Sequence, residues 1–155
     1  MRRHIRTVVL ACSVGLAVLS FGGPAQAIGE PVNQLSYMTF SQSVAIPGMT
    51  LPAGEYMFRL PSRDNSRMVL QVLSKDGSHV YGMFLTRPTS RDEATDDPTV
   101  SFHESPEGTA SPIRAWFYAG ERFGLEFAYP EHEADVIARH SHHPVLTTNL
   151  TYIAK

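Results

Sequence analysis

Apolar and polar residues alternate along short segments of the chain, which is the pattern of half-buried β-strands. Met38, Phe40, Val44 and Ile46 fall at even spacing, and a period of two places such residues on one face of a strand. Residues 67–74 (RMVLQVLS) instead form a nearly continuous apolar run. Such a run is typical of a strand that is covered on both faces.

Glycine-containing turns divide these segments into hairpins. Gly77 lies in Lys-Asp-Gly between 67–74 and a second apolar segment at 79–86, and Gly120 lies in Ala-Gly-Glu between two aromatic-rich segments. Glycine adopts positive φ without steric cost, so both sites favour tight turns. The sequence therefore predicts two antiparallel hairpins. Between them, residues 88–98 (PTSRDEATDDP) are predicted to form a polar, acidic loop.

One segment has the pattern of a helix. Residues 130–140 (PEHEADVIARH) begin with proline, which suits a first helical turn, and carry acidic residues early and basic residues late, as the helix dipole favours. About seven strands precede it. We therefore expect an all-β domain over 35–140, an antiparallel β-sandwich or partly open barrel with one C-terminal helix. Residues 141–155 are predicted to be a tail, either a last edge strand or a loose end.

The N-terminus has the features of an export signal. Three arginines precede a 15-residue apolar stretch at 7–21, which is shorter than the roughly 20 residues that a membrane-spanning helix needs. Ala25-Gln26-Ala27 then supplies the small residues that signal peptidase recognises. We expect residues 1–27 to be a cleaved signal peptide and 28–34 a flexible N-terminus. An uncleaved anchor is the alternative, which the short apolar stretch disfavours.

Composition narrows the classes of function once the leader is set aside. The 155 residues are 43% hydrophobic and 18% charged, as in an ordinary globular domain. Removal of the three leader arginines leaves 10 of the 13 basic residues against 15 acidic ones, a formal charge of −5. This charge argues against nucleic acid and anionic membranes as partners. The single cysteine, Cys12, leaves with the leader, so the exported chain would have no disulfide and no cysteine-based zinc site.

Two groups of residues are candidates for binding. Arg114, Trp116 and Tyr118 alternate with apolar neighbours in one strand. If those neighbours face the core, the three side chains form a row on the opposite face that suits a sugar ring or a protein partner. The alternative is that a second layer covers the row and makes it part of the core.

Histidines near the C-terminus form the second group. His140, His142 and His143 would bind zinc, copper or nickel if the segment bends around the ion. The alternative is that they are solvated side chains after a helix C-terminus. His132-Glu133 begins the metalloprotease pattern H-E-x-x-H, but its fifth position is Val136, which excludes that class.

Two longer segments carry a resemblance to known proteins. Leu51-Pro52-Ala53-Gly54-Glu55-Tyr56 follows Ala45-Ile46-Pro47-Gly48, and Phe123-Gly124-Leu125-Glu126-Phe127-Ala128-Tyr129-Pro130 follows Ala115-Trp116-Phe117-Tyr118. With these LPAG-x-Y and FG-x-EF-x-YP segments, the chain resembles small secreted bacterial β-domain proteins that have no assigned activity. The resemblance implies a compact β-domain over roughly 35–140 and brings no catalytic residues.

The function predicted from these features is that of an exported binding or structural module without enzymatic activity or cofactor. The sequence has no G-x-S-x-G motif, no glycine-rich phosphate loop and, after export, no cysteine nucleophile. We expect the protein in the periplasm or outside the cell, without a stable membrane span after cleavage, and with a glycan or an envelope protein as partner. Two alternatives stay open: an envelope metal-binding protein that uses the C-terminal histidines, and a hydrolase whose site is assembled from distant strands.

Overall fold

A computed structural model describes residues 35–61 and 69–154. The predicted signal peptide (1–27) and N-terminus (28–34) lie outside these ranges. In chain order, the elements of the described residues are β1 (Leu35–Phe40), β2 (Val44–Ile46), β3 (Met49–Leu51), β4 (Gly54–Arg59), β5 (Val69–Ser74), β6 (Val80–Ser90), β7 (Thr99–Phe102), β8 (Ser111–Phe117), β9 (Phe123–Phe127), α1 (Glu131–Ala138), β10 (Val145–Leu146) and β11 (Tyr152–Ile153).

Nine of the strands form one large sheet. Its order is β1-β4-β5-β6-β9-β8-β2-β3, with β7 paired to β8, and the sheet does not close on itself. The pairs are antiparallel except for β2 and β8, which run parallel, so the sheet is mixed. β10 and β11 form a separate two-stranded ribbon. The predicted β-rich class with one helix near the C-terminus is confirmed.

The strands in the described residues outnumber the seven expected because several are only two or three residues long. The expected first strand is divided into β1 and β2, and a turn at Pro47-Gly48 adds β3 directly after β2. Gly48 has φ +80°, the conformation that a type II turn requires after proline. β6 is also longer than predicted: it continues through Pro88 to Ser90 and pairs there with β9.

The hairpin of β5 and β6 is confirmed, and hydrogen bonds to an aspartate stabilise its turn. Gly77 adopts φ +73°. The carboxylate of Asp76 accepts hydrogen bonds from the Ser74 hydroxyl at 2.6 Å and from the backbone N–H of Ser78 at 3.1 Å. These bonds to Ser74 and Ser78 lower the pKa of Asp76 to about 2. The turn therefore keeps its charged, hydrogen-bonded form throughout the neutral range.

Aromatic side chains form the centre of the core. The fully buried ring of Phe58 lies 5.9 Å from Trp116, 6.2 Å from Phe40 and 6.3 Å from Phe127, measured between ring centroids. These residues come from β1, β4, β8 and β9, so the cluster joins distant strands of the sheet. Tilted and edge-on contacts of this kind add to the free energy gained by burying the rings.

The helix and the segment that follows it are attached to this core. α1 buries Ala134, Ile137 and Ala138, and the backbone N–H of Gly48 donates to Glu133 Oε2 at 3.0 Å. In the described part of residues 141–155, β10 and β11 form the separate ribbon and not an edge strand of the large sheet. Val145 and Leu146 of β10 are fully buried, because Leu146 accepts a backbone hydrogen bond from Tyr129 at 2.8 Å and so lies against the sheet.

Candidate functional site

The row of Arg114, Trp116 and Tyr118 is not an exposed surface. Trp116 is 0% exposed and belongs to the aromatic core. Tyr118 packs beside it, with 4.2 Å between the ring centroids. The prediction of an accessible aromatic row was therefore wrong, and the alternative, in which this face is covered, describes Trp116 correctly. Of the three residues, Arg114 alone lines a cavity.

A β-bulge explains why the faces were assigned incorrectly. Ser101 of β7 pairs with Ala115, and its neighbour Phe102 pairs with Ile113, so Arg114 has no partner in β7. The extra residue reverses the alternation of the strand. Ile113 and Trp116 both point into the core, although they are three positions apart.

The three C-terminal histidines do not form a metal site. His140, His142 and His143 are all exposed. In the described part of the chain, no three His, Cys, Asp or Glu side chains lie close enough together to hold a metal ion. Ser141, between the histidines, is buried instead, and His142 Nδ1 lies 3.5 Å from Glu104 Oε1. The predicted metal site was wrong.

The inward turn at Ser141 belongs to a polar network that the sequence did not reveal, in which Ser141 and His103 are buried and Glu104 is exposed. Ser141 donates its hydroxyl proton to Glu104 Oε2 at 2.9 Å, and the backbone N–H of His142 donates to the same oxygen at 3.0 Å. The Nδ1 atom of His103, a residue only 2% exposed, lies 3.2 Å from Ser141 Oγ. Because the serine proton is already committed to Glu104, Nδ1 of His103 must carry the proton and donate it to Ser141.

The charges of this network are set by its surroundings. The Glu104 backbone N–H, the His142 backbone N–H and the Ser141 hydroxyl together lower the pKa of Glu104 to about 2. Burial, assisted by the positive charge of Arg114, lowers the pKa of His103 to about 4. At neutral pH, Glu104 is therefore ionised and His103 is neutral.

The hydroxyl proton of Ser141 is donated in a different direction from that of a catalytic serine. A serine nucleophile gives its proton to the histidine, whereas here Ser141 gives it to Glu104 and accepts from His103. Ser141 is also buried. The network joins the end of β7 to the residues after α1, and we interpret it as a contact that stabilises the fold.

This network predicts that the free energy of unfolding decreases in acid. The pKa of His103 falls from 6.5 in the unfolded chain to about 4 in the folded one. The unfolded state therefore binds more protons between these values, and the free energy of unfolding should decrease by roughly 2–3 kcal/mol as the pH falls from 6.5 to 4. Urea unfolding followed by circular dichroism across this range measures the decrease.

The matched variants are His103→Asn, whose amide can still donate to Ser141, and His140→Asn, which changes an exposed histidine. The first should remove most of the decrease between pH 6.5 and 5, whereas the contribution of Glu104 below about pH 5 should remain. The second should leave the pH dependence unchanged. A pH dependence of His103→Asn that parallels the parent protein would show that His103 is not the titrating group.

A cavity of about 300 Å³ is lined by residues of β6, β7 and β8 and by Arg91. Two arginines, four hydroxyl-bearing residues and an apolar base line it, and no acidic side chain does. The lining residues in the described part of the chain are Thr89, Ser90, Arg91, Thr99, Val100, Ser101, Arg114, Ala115 and Phe117. Pairing of β6, β9, β8 and β7 places Thr89, Gly124, Phe117 and Thr99 opposite one another in a single row.

Arg91 is fixed by neutral groups. Its Nη1 donates to Thr99 Oγ1 at 2.7 Å, and its Nη2 donates to the backbone carbonyl of Glu121 at 2.9 Å. The guanidinium carbon lies 4.7 Å from the centre of the Phe117 ring. Within the described residues no carboxylate forms an ion pair with Arg91, so no acidic partner offsets the charge of the guanidinium.

Arg114 lies beside a buried carboxylate. Glu126, 3% exposed, accepts a hydrogen bond from the Tyr152 hydroxyl at 3.0 Å and lies 3.5 Å from Arg114 Nε. In the described chain, the terminal amino groups of Arg114 have no hydrogen-bond partner. Arg87 stands 5.4 Å from the centre of the Tyr152 ring. The charges of Arg87, Arg91, Arg114 and Glu126 sum to +2.

Of the two cavity arginines, Arg114 is a binding candidate from the sequence and Arg91 is not. The sequence predicts Thr89, Ser90 and Arg91 in the acidic loop, but β6 continues to Ser90, and only Arg91 lies beyond the strand. A weak local signal was present: residues 86–90 (TRPTS) include two threonines, a β-branched residue that is enriched in strands. His103 had no such signal, because its partner Ser141 lies 38 residues away.

Comparison with known proteins gives no match to this chain among family models, curated proteins or solved structures. A search of the described residues for a helix long and apolar enough to cross a membrane also finds none.

Proposed function

We propose that this chain is an exported binding domain without enzymatic activity, and that the cavity between β6, β7 and β8 is its ligand site. The signal-like residues 1–27 support export. The domain acts in the periplasm or outside the cell.

The observation that carries the binding function is the cavity with its pre-oriented donors. A volume of about 300 Å³ falls at the lower end of the range of small-molecule sites, about 300–1,000 Å³. Such sites combine apolar walls with a few fixed polar groups, and Ala115 and Phe117 supply the first while Arg91 and Arg114 supply the second. Because Arg91 is held in place before any ligand arrives, binding costs less ordering of side chains.

The chemistry of the described residues supports binding more than turnover. The serine and histidine that meet, Ser141 and His103, have the wrong proton arrangement for nucleophilic attack. The cavity is lined by arginines and hydroxyls, without a lining carboxylate or histidine to act as general acid or base.

The test is to isolate the protein from a bacterium that exports it and to examine it by native mass spectrometry. We expect the main species to begin at Ile28 and to carry a bound small molecule. Thr89→Trp, which fills the cavity, should abolish the bound mass, whereas Thr39→Trp, on the exposed face of β1, should retain it. A chain that stays in the cytosol with its leader intact would contradict export, and equal occupancy of the two variants would contradict the cavity.

A further inference from the structure

We infer that the cavity binds an oxyanion: the carboxylate, phosphate or sulfate group of a ligand, held by Arg91 and Arg114. The inference rests on the proposed function, because it names the chemical class of the ligand for the same cavity. It is argued from the way in which each arginine is held, from the hydroxyls around them and from the balance of charge.

Arg91 supplies a positive charge that its neighbours do not neutralise. Its contacts are to the Thr99 hydroxyl, to the carbonyl of Glu121 and to the face of Phe117. All of these are neutral groups, which orient the guanidinium and leave its charge intact. A guanidinium held in this way is prepared for an anion, because little side-chain entropy remains to be lost on binding.

Arg114 supplies the donors. Its Nε is directed to Glu126 at the long distance of 3.5 Å, and its two terminal amino groups have no partner among the described residues. Arginine binds carboxylate and phosphate through two parallel N–H···O bonds. The bulge explains the position of this side chain: as the extra residue of β8, Arg114 reaches the cavity together with Ala115.

The surroundings favour an anion over a neutral ligand. Hydroxyls of Thr89, Ser90 and Ser101 line the same cavity and can donate to further oxygens of a tetrahedral group. The acidic residues of the loop between β6 and β7 are exposed and do not line the cavity. Among the described residues, Arg114 meets a carboxylate only through its Nε, which lies 3.5 Å from Glu126 Oε1, while the other oxygen of Glu126 accepts the Tyr152 hydroxyl.

The experiment is isothermal titration of the mature protein at low salt with four probes: inorganic phosphate, sulfate, D-glucuronate and neutral D-glucose. We expect at least one oxyanion to bind and D-glucose not to bind. Phosphate and sulfate against glucuronate distinguish a tetrahedral group from a carboxylate. Affinity should fall as salt is added, since the attraction is electrostatic.

Three variants make the test specific. Arg114→Gln should weaken oxyanion binding about tenfold or more, whereas Arg139→Gln, which removes an exposed arginine of the helix end, should not change it. Glu126→Gln should strengthen binding by about twofold to tenfold, because it removes the nearby negative charge and keeps a hydrogen-bonding side chain. A gain in affinity cannot arise from misfolding, so this variant tests the inference even if Arg114→Gln is unstable.

Failure of all three oxyanions, equal binding of D-glucose, or unchanged affinity in Arg114→Gln and Glu126→Gln would overturn the oxyanion inference. A different outcome would leave the proposed function standing without the oxyanion inference. If the exported protein carries a neutral molecule that Thr89→Trp excludes, the cavity remains the binding site and only its ligand class is wrong.

Discussion

Replacement of Trp116 by alanine is expected to lower the free energy of unfolding by about 4 kcal/mol, one of the largest effects that a single substitution produces. The side chain is fully buried and meets Phe58 edge-on, with 5.9 Å between the ring centroids. Its removal leaves a cavity that the surrounding strands can fill only in part. Domains are typically stable by about 5–15 kcal/mol, so the loss should be evident in urea unfolding followed by circular dichroism.

Two further variants separate burial from the loss of an aromatic ring. Phe123→Ala removes a ring that is 71% exposed on the neighbouring strand β9, and it should change stability by no more than about 0.5 kcal/mol. Trp116→Phe should cost less than alanine, since it keeps a ring and the indole N–H has no acceptor among the described residues. If Trp116→Ala and Phe123→Ala cost the same, the placement of Trp116 in the core is contradicted.

Local signals in the sequence were sufficient for the class of the fold. The turns at Gly77 and Gly120 adopt the positive φ that glycine was expected to supply, +73° and +74°. The helix begins beside Pro130, as the proline at the start of the segment predicts. Each of these features is decided by a few adjacent residues, so the pattern of the chain is enough to predict it.

The assignment of faces failed where one residue changes the register. Alternation predicts that Ile113 and Trp116 point to opposite sides of a regular strand. The bulge at Arg114 cancels this alternation, and a bulge depends on the partner strand, so the sequence of β8 alone does not reveal it. The same bulge buries Trp116 and brings Arg114 to the cavity. It explains why Arg114 lines the cavity whereas Trp116 and Tyr118 do not.

The remainder of the candidate site depends on contacts between distant residues. Arg91 reaches the carbonyl of Glu121, 30 positions away, and His103 reaches Ser141 across 38 positions. β6 continues through Pro88, a residue that usually marks the end of a strand. Long-range pairing overrides that local preference, since residues 86–90 pair with β9 along their whole length.

Replacement of Gly124 by alanine is expected to cost about 3 kcal/mol or more, because the strand has no room for a methyl group there. Gly124 of β9 lies directly opposite Phe117 of β8. A Cβ atom at this position would come closer than 3 Å to the backbone carbonyl oxygen of Trp116 and to the ring of Phe117. The ring can rotate, but the carbonyl belongs to the β8 backbone, so the two strands would have to separate.

Gly54→Ala is the matched control for this variant. Gly54 also lies in a paired strand, opposite Phe40, but an added Cβ would meet the Tyr56 ring at an ordinary distance of 3.5 Å or more. We expect Gly54→Ala to be neutral or to stabilise the protein by up to about 1 kcal/mol, because alanine loses less backbone entropy on folding. Equilibrium urea unfolding of both variants compares them directly.

Since Phe117 also supports the Arg91 guanidinium at 4.7 Å, displacement of its ring in Gly124→Ala should disturb the cavity as well. Equal stability of the two variants would mean that β8 and β9 do not pair in this register.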